Sequence, residues 1–209
     1  MENGTDLTTI GLLLFDGAEE LDFVGPFEVF TMANEVAHED GQGEVFDVQL
    51  ISQKGGTVRC AKGMVVETPH SIREITRLDV ICIPGGRGTR EQIENQSLLE
   101  WVASVAPACR WVTSVCTGAF ILSAAGLTAG KKMTTHWAAF DEFADLGLEG
   151  DLQAGPRYVR DGNLVTAAGV SAGIDMALWL TGQLLSPEMA RATQKAMEYD
   201  PAPPYGADV

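Results

Sequence analysis

The stretch Thr113 to Phe120, TSVCTGAF, sets a cysteine between a β-prone run and the small residues with which a helix can start. A sulfur on such a strand-to-helix turn lies near the free N–H groups and positive dipole end of the helix, which favours the thiolate, the nucleophilic form. Thr117 adds a backbone N–H and a hydroxyl beside Cys116, and Gly118 lets the helix begin without crowding, as in a nucleophile elbow. Asp22, in EELDFVGP, falls between a strand and a helix on the same rim. Flanked by Leu21 and Phe23, its carboxyl is expected to be partly buried, with a raised pKa and a proton to deliver. The glycines of IPGGRG, Gly85 and Gly86, offer unobstructed N–H groups for developing negative charge. His136, in TTHWAAF, is the one histidine of three with apolar and aromatic neighbours, and is a candidate for substrate contact.

Each of these residues also has a plainer explanation. A lone cysteine among apolar residues is commonly inert core, Asp22 suits a helix N-cap, and His136 suits a helix-start residue bonded to backbone. The strand–Cys–Thr–Gly–helix context favours the nucleophile for Cys116. Asp22 can both cap and donate, and the two readings of His136 stay level. Cys82, inside VICIP, reads as structural, while Cys60 and Cys109 lack an activating pattern and His38 and His70 read as solvated.

The elements that must position these groups follow from periodicity. Continuous apolar runs at Ile10 to Phe15 and Asp79 to Gly86 predict strands buried on both faces, with Val45 to Ser52 and WVTSV as further strands. Helices are expected from about Gly25 to Ala37 with Pro26 in the first turn, through EQIENQSLLEWVASVA, and from Thr117 to Ala125. Two more run through AAFDEFADLG to a stop at Gly147 and through AGIDMALWLTGQLLSPEMARATQKAMEY with a break near Pro187. Hairpins turn at Lys62-Gly63 and Asp161-Gly162. This alternation predicts one α/β domain over residues 10–200, a three-layer sandwich with a mostly parallel central sheet. A flexible tail (1–9) precedes it and a proline-rich surface tail (201–209) follows. Ligands bind outside the carboxyl ends of such strands, where Cys116, the glycines and Asp22 all fall.

Composition narrows the partners. A chain of 209 residues that is 45% hydrophobic can bury a substantial core. With 29 acidic against 14 basic residues, its net charge of −15 opposes nucleic acid and anionic membrane surfaces. No run of about 18 apolar residues appears, the N-terminus has no secretion pattern, and the four cysteines form no CxxC pair. A cytoplasmic protein without a disulfide framework or zinc site is expected.

The segments GLLLFDGAEELDFVGPFEVF, LDVICIPGGRG, VTSVCTGAFILSAAGLTAGKKMTTHWA, VRDGNLVTAAGVSAGIDMAL and EYDPAPPYGA resemble the ThiJ/PfpI superfamily over nearly the whole chain, and within it the isonitrile hydratases. The resemblance implies a flavodoxin-like fold of the class I glutamine amidotransferase type and a homodimer with the site near its interface. It also implies hydration of isonitriles, R–N≡C, to N-substituted formamides, without metal or organic cofactor. Cys116 would attack the terminal carbon, Asp22 would protonate it, and a thioimidate would form. After water adds, N–H groups of Gly86 and Thr117 would hold the oxygen-bearing intermediate. The apolar residues around the first helix suggest a hydrophobic R group. Peptidase-like and glyoxalase-like members carry histidine after the nucleophile and glutamate as the first acid, where this sequence has Thr117 and Asp22. Sensor domains of AraC-type regulators share the GxxxLDxxGPxxVF and THW segments but continue into a helix-turn-helix pair. The alternative readings are a stand-alone ligand-binding or redox-sensing protein related to those sensor domains, or a glyoxalase- or amidase-type enzyme of the superfamily.

Overall fold

A computed structural model describes residues 7–201. The chain runs β1 (Thr8–Leu14), α1 (Glu20–Glu39), β2 (Phe46–Ser52), β3 (Gly56–Arg59), β4 (Val65–Thr68), β5 (His70–Ser71), β6 (Val80–Ile83), α2 (Thr89–Gln92) and α3 (Gln96–Val105). It continues with β7 (Trp111–Val115), α4 (Gly118–Ala124), β8 (Lys132–Met133), α5 (Phe140–Asp145), β9 (Asp151–Leu152), β10 (Tyr158–Asp161), β11 (Leu164–Ala167), α6 (Ala172–Leu184) and α7 (Pro187–Ala196).

Seven strands form the central sheet in the order β10-β11-β7-β6-β1-β2-β5, parallel throughout except for antiparallel β10 at one edge. Side chains of a strand alternate between faces, so a strand covered on both sides must be apolar at every position. β1 shows the result. Ile10, Leu12 and Leu14 pack with Phe23, Val29, Phe30 and Met176 of α1 and α6, while Leu13 packs on the other face with Leu98, Val102 and Ile121 of α3 and α4. These two cores and the sheet between them are the three layers expected from the sequence.

The boundaries differ in places. α1 begins at Glu20, five residues before Gly25, and Pro26 lies in its second turn. Pro26 has no N–H to give to the Asp22 carbonyl, a defect of about 3 kcal/mol in an isolated helix. The burial of Phe23, Val29, Phe30 and Ala33 carries the helix through it. The stretch expected as one helix through EQIENQSLLEWVASVA divides into α2 and α3, because the Asn95 side chain accepts the Leu98 N–H (3.4 Å) and starts a new helix. β1 takes in Thr8 and Thr9, which pair with Phe46 and Asp47, so the expected 1–9 tail is too long. Residues 1–6 and 202–209, and with them most of both expected tails, lie outside the described residues. The break near Pro187 is present, with Ser186 capping α7 and Pro187 opening it.

Candidate active site

Three parallel strands deliver their carboxyl ends to one place. β7 ends at Val115, and Cys116 turns the chain into α4 with φ of 55°, a left-handed conformation that costs a non-glycine residue about 1–3 kcal/mol. The neighbours hold the turn. The Cys116 N–H donates to the carbonyls of Ala167 (3.0 Å) and Ala168 (2.9 Å), and its own carbonyl accepts the buried Thr135 hydroxyl (2.8 Å). The loop after β6 passes so close that a Cβ on Gly85 would lie 2.5 Å from the Thr117 nitrogen and 2.8 Å from the Cys116 Cβ. Gly85→Ala is accordingly expected to cost about 1–3 kcal/mol in chemical denaturation, as overpacking does. An unchanged midpoint would mean that the turn relaxes freely.

Asp22 is wholly buried beside this turn. It sits in the first turn of α1 without capping it. Glu19 holds the N-cap position and the Asp22 Oδ2 accepts the Gly85 N–H (2.8 Å). Oδ1 has no hydrogen-bond partner among the described residues. Burial raises the carboxyl to about 7 against the pull of the Gly85 N–H, with the charge of Glu19 adding to the rise. The Cys116 thiol is close enough to bias this carboxyl, although no hydrogen bond of ordinary length joins them.

The expectation of a ready thiolate needs correction. Burial, and then the neighbouring Asp22 charge, push the Cys116 thiol up to about 12. The N–H groups of Thr117 and Val170 and the Thr117 hydroxyl oppose this rise and are outweighed. α4 is only seven residues long and Cys116 is 7% exposed, so the desolvation penalty dominates over the dipole. At neutral pH the Cys116–Asp22 pair therefore retains a proton.

The two glycines also behave differently from expectation. Gly85 spends its N–H on Asp22, and Gly86 donates its own to the Thr117 hydroxyl (3.0 Å). Neither is a free donor for an oxyanion. The backbone N–H groups that act on the sulfur are those of Thr117 and Val170. Thr117 thus has two jobs, its N–H toward the sulfur and its hydroxyl tying the turn to the glycine loop.

An open cleft of about 490 Å³ leads to the sulfur, lined among others by Cys116, Thr117, Gly86, His136, Arg90 and Val170. His136 starts a backbone turn and also stands at the cleft. Its Nδ1 accepts the Ala138 N–H (3.2 Å) to start a short 3-10 turn at Trp137–Ala139, and its side chain lines the cleft. A Cβ on Gly169 would collide with the imidazole ring, so that glycine is what admits it. Cys60, Cys82 and Cys109 are buried thiols that do not line the cleft, consistent with structural roles.

Three residues escaped the sequence reading. Arg90 pairs with Glu142 and donates through Nη1 to the Gly86 carbonyl (3.1 Å), bracing the rim. It was hidden because it stands just before the helix expected from Glu91, and its partner Glu142 lies 52 positions away. Val170 has φ of 41°, a conformation rare for a β-branched residue, and nothing in AAGVSAG announces it. Thr135 looked like an ordinary residue beside the histidine.

Comparisons with known proteins point to one family. The sequence model of the DJ-1/PfpI family matches residues 8–183. The chain is 39% identical over 196 residues to the isonitrile hydratase of Pseudomonas putida, covering 94% of this chain and 80% of that protein. It is 27% identical to the HTH-type transcriptional regulator CdhR of Pseudomonas aeruginosa, over 85% of this chain and 51% of the regulator. Among solved structures, a THiJ/PfpI family protein from Pseudomonas syringae superposes with a TM-score of 0.84 at 28% identity, covering 100% of this chain and 85% of that one.

Proposed function

The chain belongs to the DJ-1/PfpI family, and from that premise we propose that it hydrates isonitriles to N-substituted formamides, with Cys116 as nucleophile on a nucleophile elbow and Asp22 as proton carrier. The observation that carries this reading is the buried pair at the end of the cleft, a thiol raised to about 12 beside a carboxyl raised to about 7. The terminal carbon of R–N≡C must gain a nucleophile and a proton at the same atom. A pair that holds one proton on sulfur beside a carboxylate that can accept it is suited to give both.

The thiol proton passes to Asp22, the sulfur bonds to the terminal carbon, and the Asp22 carboxyl returns the proton to that carbon, giving the thioimidate R–N=CH–S–Cys116. Water adds to the same carbon while the nitrogen takes a proton. The C–S bond then breaks, the sulfur recovers its proton, and R–NH–CHO leaves. The N–H groups of Thr117 and Val170 support sulfur as it carries negative charge, and the apolar contribution to the cleft comes from Ala138, Ala139 and Val170. A redox-sensing role suits this thiol poorly, since oxidation follows thiolate character and exposure, and Cys116 has little of either.

Incubating the protein with a simple alkyl or aryl isonitrile and following formamide tests the proposal. No formamide at any pH would refute it. The pH profile is a second test. Below about 7 the pair takes up a second proton and loses the carboxylate that must accept the thiol proton, so kcat/KM is expected to rise through about 7 and then level off. A rate that falls with rising pH across that range would contradict Asp22 as the acceptor of the thiol proton.

Two further features belong to the same reading. A homodimer is proposed from the family's habit, and light scattering on the purified protein decides it. A reducing compartment is proposed from the four free, buried thiols. No helix among the described residues is long and apolar enough to cross a membrane.

A further inference from the structure

We infer that Thr135 is a positioning residue for the nucleophile, holding the backbone of Cys116 in its left-handed turn so that the Thr117 and Val170 N–H groups stay aimed at the sulfur. The inference rests on the hydratase reading for its rate measurements and on geometry for the rest. Thr135 is 1% exposed, and its hydroxyl donates to the Cys116 carbonyl at 2.8 Å across 19 residues of sequence. That carbonyl belongs to a residue with φ of 55°. Its orientation and that of the Thr117 N–H are linked, because both belong to the one planar peptide that follows Cys116.

Thr135 is itself held at both ends. Just before it, the Thr134 N–H donates to the Thr166 hydroxyl of β11 (2.7 Å). Just after it, His136 caps the 3-10 turn and packs its ring where a side chain on Gly169 would stand, next to Val170. The segment Thr134 to His136 is therefore a strut that joins β11, the Cys116 turn and the cleft rim. Its only side-chain hydrogen bond to the nucleophile is the one from Thr135. Removing that hydroxyl leaves the Cys116 carbonyl with only the long bond from the Ala119 N–H (3.4 Å) and lets the strained peptide rotate toward an ordinary conformation.

The test compares Thr135→Val, Thr135→Ser and a control, Thr113→Val. Thr113 also buries a hydroxyl that donates to a carbonyl, that of Ile81 (2.8 Å), on the strand that leads to the nucleophile, and it does not line the cleft. Thr135→Val is expected to lower kcat by roughly 10²-fold with KM little changed, the scale that small misplacement of a reacting group produces. Thr135→Ser is expected to restore most of the rate, and Thr113→Val to lose thermal stability while keeping kcat.

Alkylation of Cys116 by iodoacetamide, followed by mass spectrometry at that residue, supplies a readout independent of isonitrile chemistry. Its rate at pH 8, where only a small fraction is thiolate, is expected to fall in Thr135→Val, because the sulfur loses N–H groups that favour its charged form. Should the valine variant not fold, Thr135→Ala removes the same hydroxyl and carries the same expectation. A kcat loss no larger than that of Thr113→Val, or an unchanged alkylation rate in a folded variant, overturns the inference. If the wild-type protein forms no formamide, the alkylation rate alone decides it, and the hydratase reading fails separately.

Discussion

Cys116→Ala is expected to abolish formamide production, lowering the rate by about four powers of ten or more, while the fold survives. The side chain lost is small. At 7% exposure and with an alanine-sized remainder, the turn keeps its backbone bonds to Ala167, Ala168 and Thr135, none of which uses the sulfur. Circular dichroism and thermal melting should thus resemble the wild type while turnover vanishes, and mass spectrometry should trap a thioimidate only on the wild-type protein. Substantial turnover in the alanine variant would move the chemistry away from Cys116 altogether.

Asp22→Asn is expected to lower kcat by roughly two to four powers of ten, the contribution of a positioned acid or base. Asparagine keeps an oxygen for the Gly85 N–H but cannot carry a proton between sulfur and carbon. The same substitution is expected to stabilise the protein at pH 8. The unfolded chain gives up the Asp22 proton near the usual carboxylate value of 3.8, whereas the folded protein holds it to about 7. The folded state thus binds more protons between these values, and its stability falls as pH rises through that window. Asparagine escapes this loss, a difference on the order of a few kcal/mol at pH 8 that shrinks to nothing near pH 4. Denaturation curves at the two pH values check it. A variant that is less stable at both would show that the buried carboxylate is compensated by something other than the Gly85 N–H.

What the sequence revealed and what it hid divide along a physical line. The parallel strands were legible because burial on both faces leaves an uninterrupted apolar run, as in IGLLLF and VICIP. Cys116 was legible because a strand, a turn and a helix start leave a residue-type signature within eight positions. Its titration was not, since the thiol's rise depends on burial by the whole domain and then on Asp22, 94 positions earlier. The glycines were expected to offer their N–H groups to an intermediate, but Asp22 and Thr117 already hold them. Hydrogen-bond partners of this kind are set by tertiary approach, for which a single sequence carries no period. Thr135 and Val170 were missed for the same reason, as each matters only through a peptide group brought to it by another strand.

The sheet order also bears on when during synthesis the Cys116 turn is completed. β7 must wait for β11, whose pairing with it joins Val112 to Leu164, and the acceptors of the Cys116 N–H are Ala167 and Ala168 beyond that. On a ribosome adding about 5–20 residues per second, Cys116 emerges some seconds before the segment that fixes its turn. Throughout that interval its sulfur is an ordinary thiol, with the acidity of any cysteine in an unfolded chain and open to whatever oxidant or electrophile it meets. Shielding arrives only with the strand that completes the turn, so Cys116 acquires its conformation and its protection in the same late step.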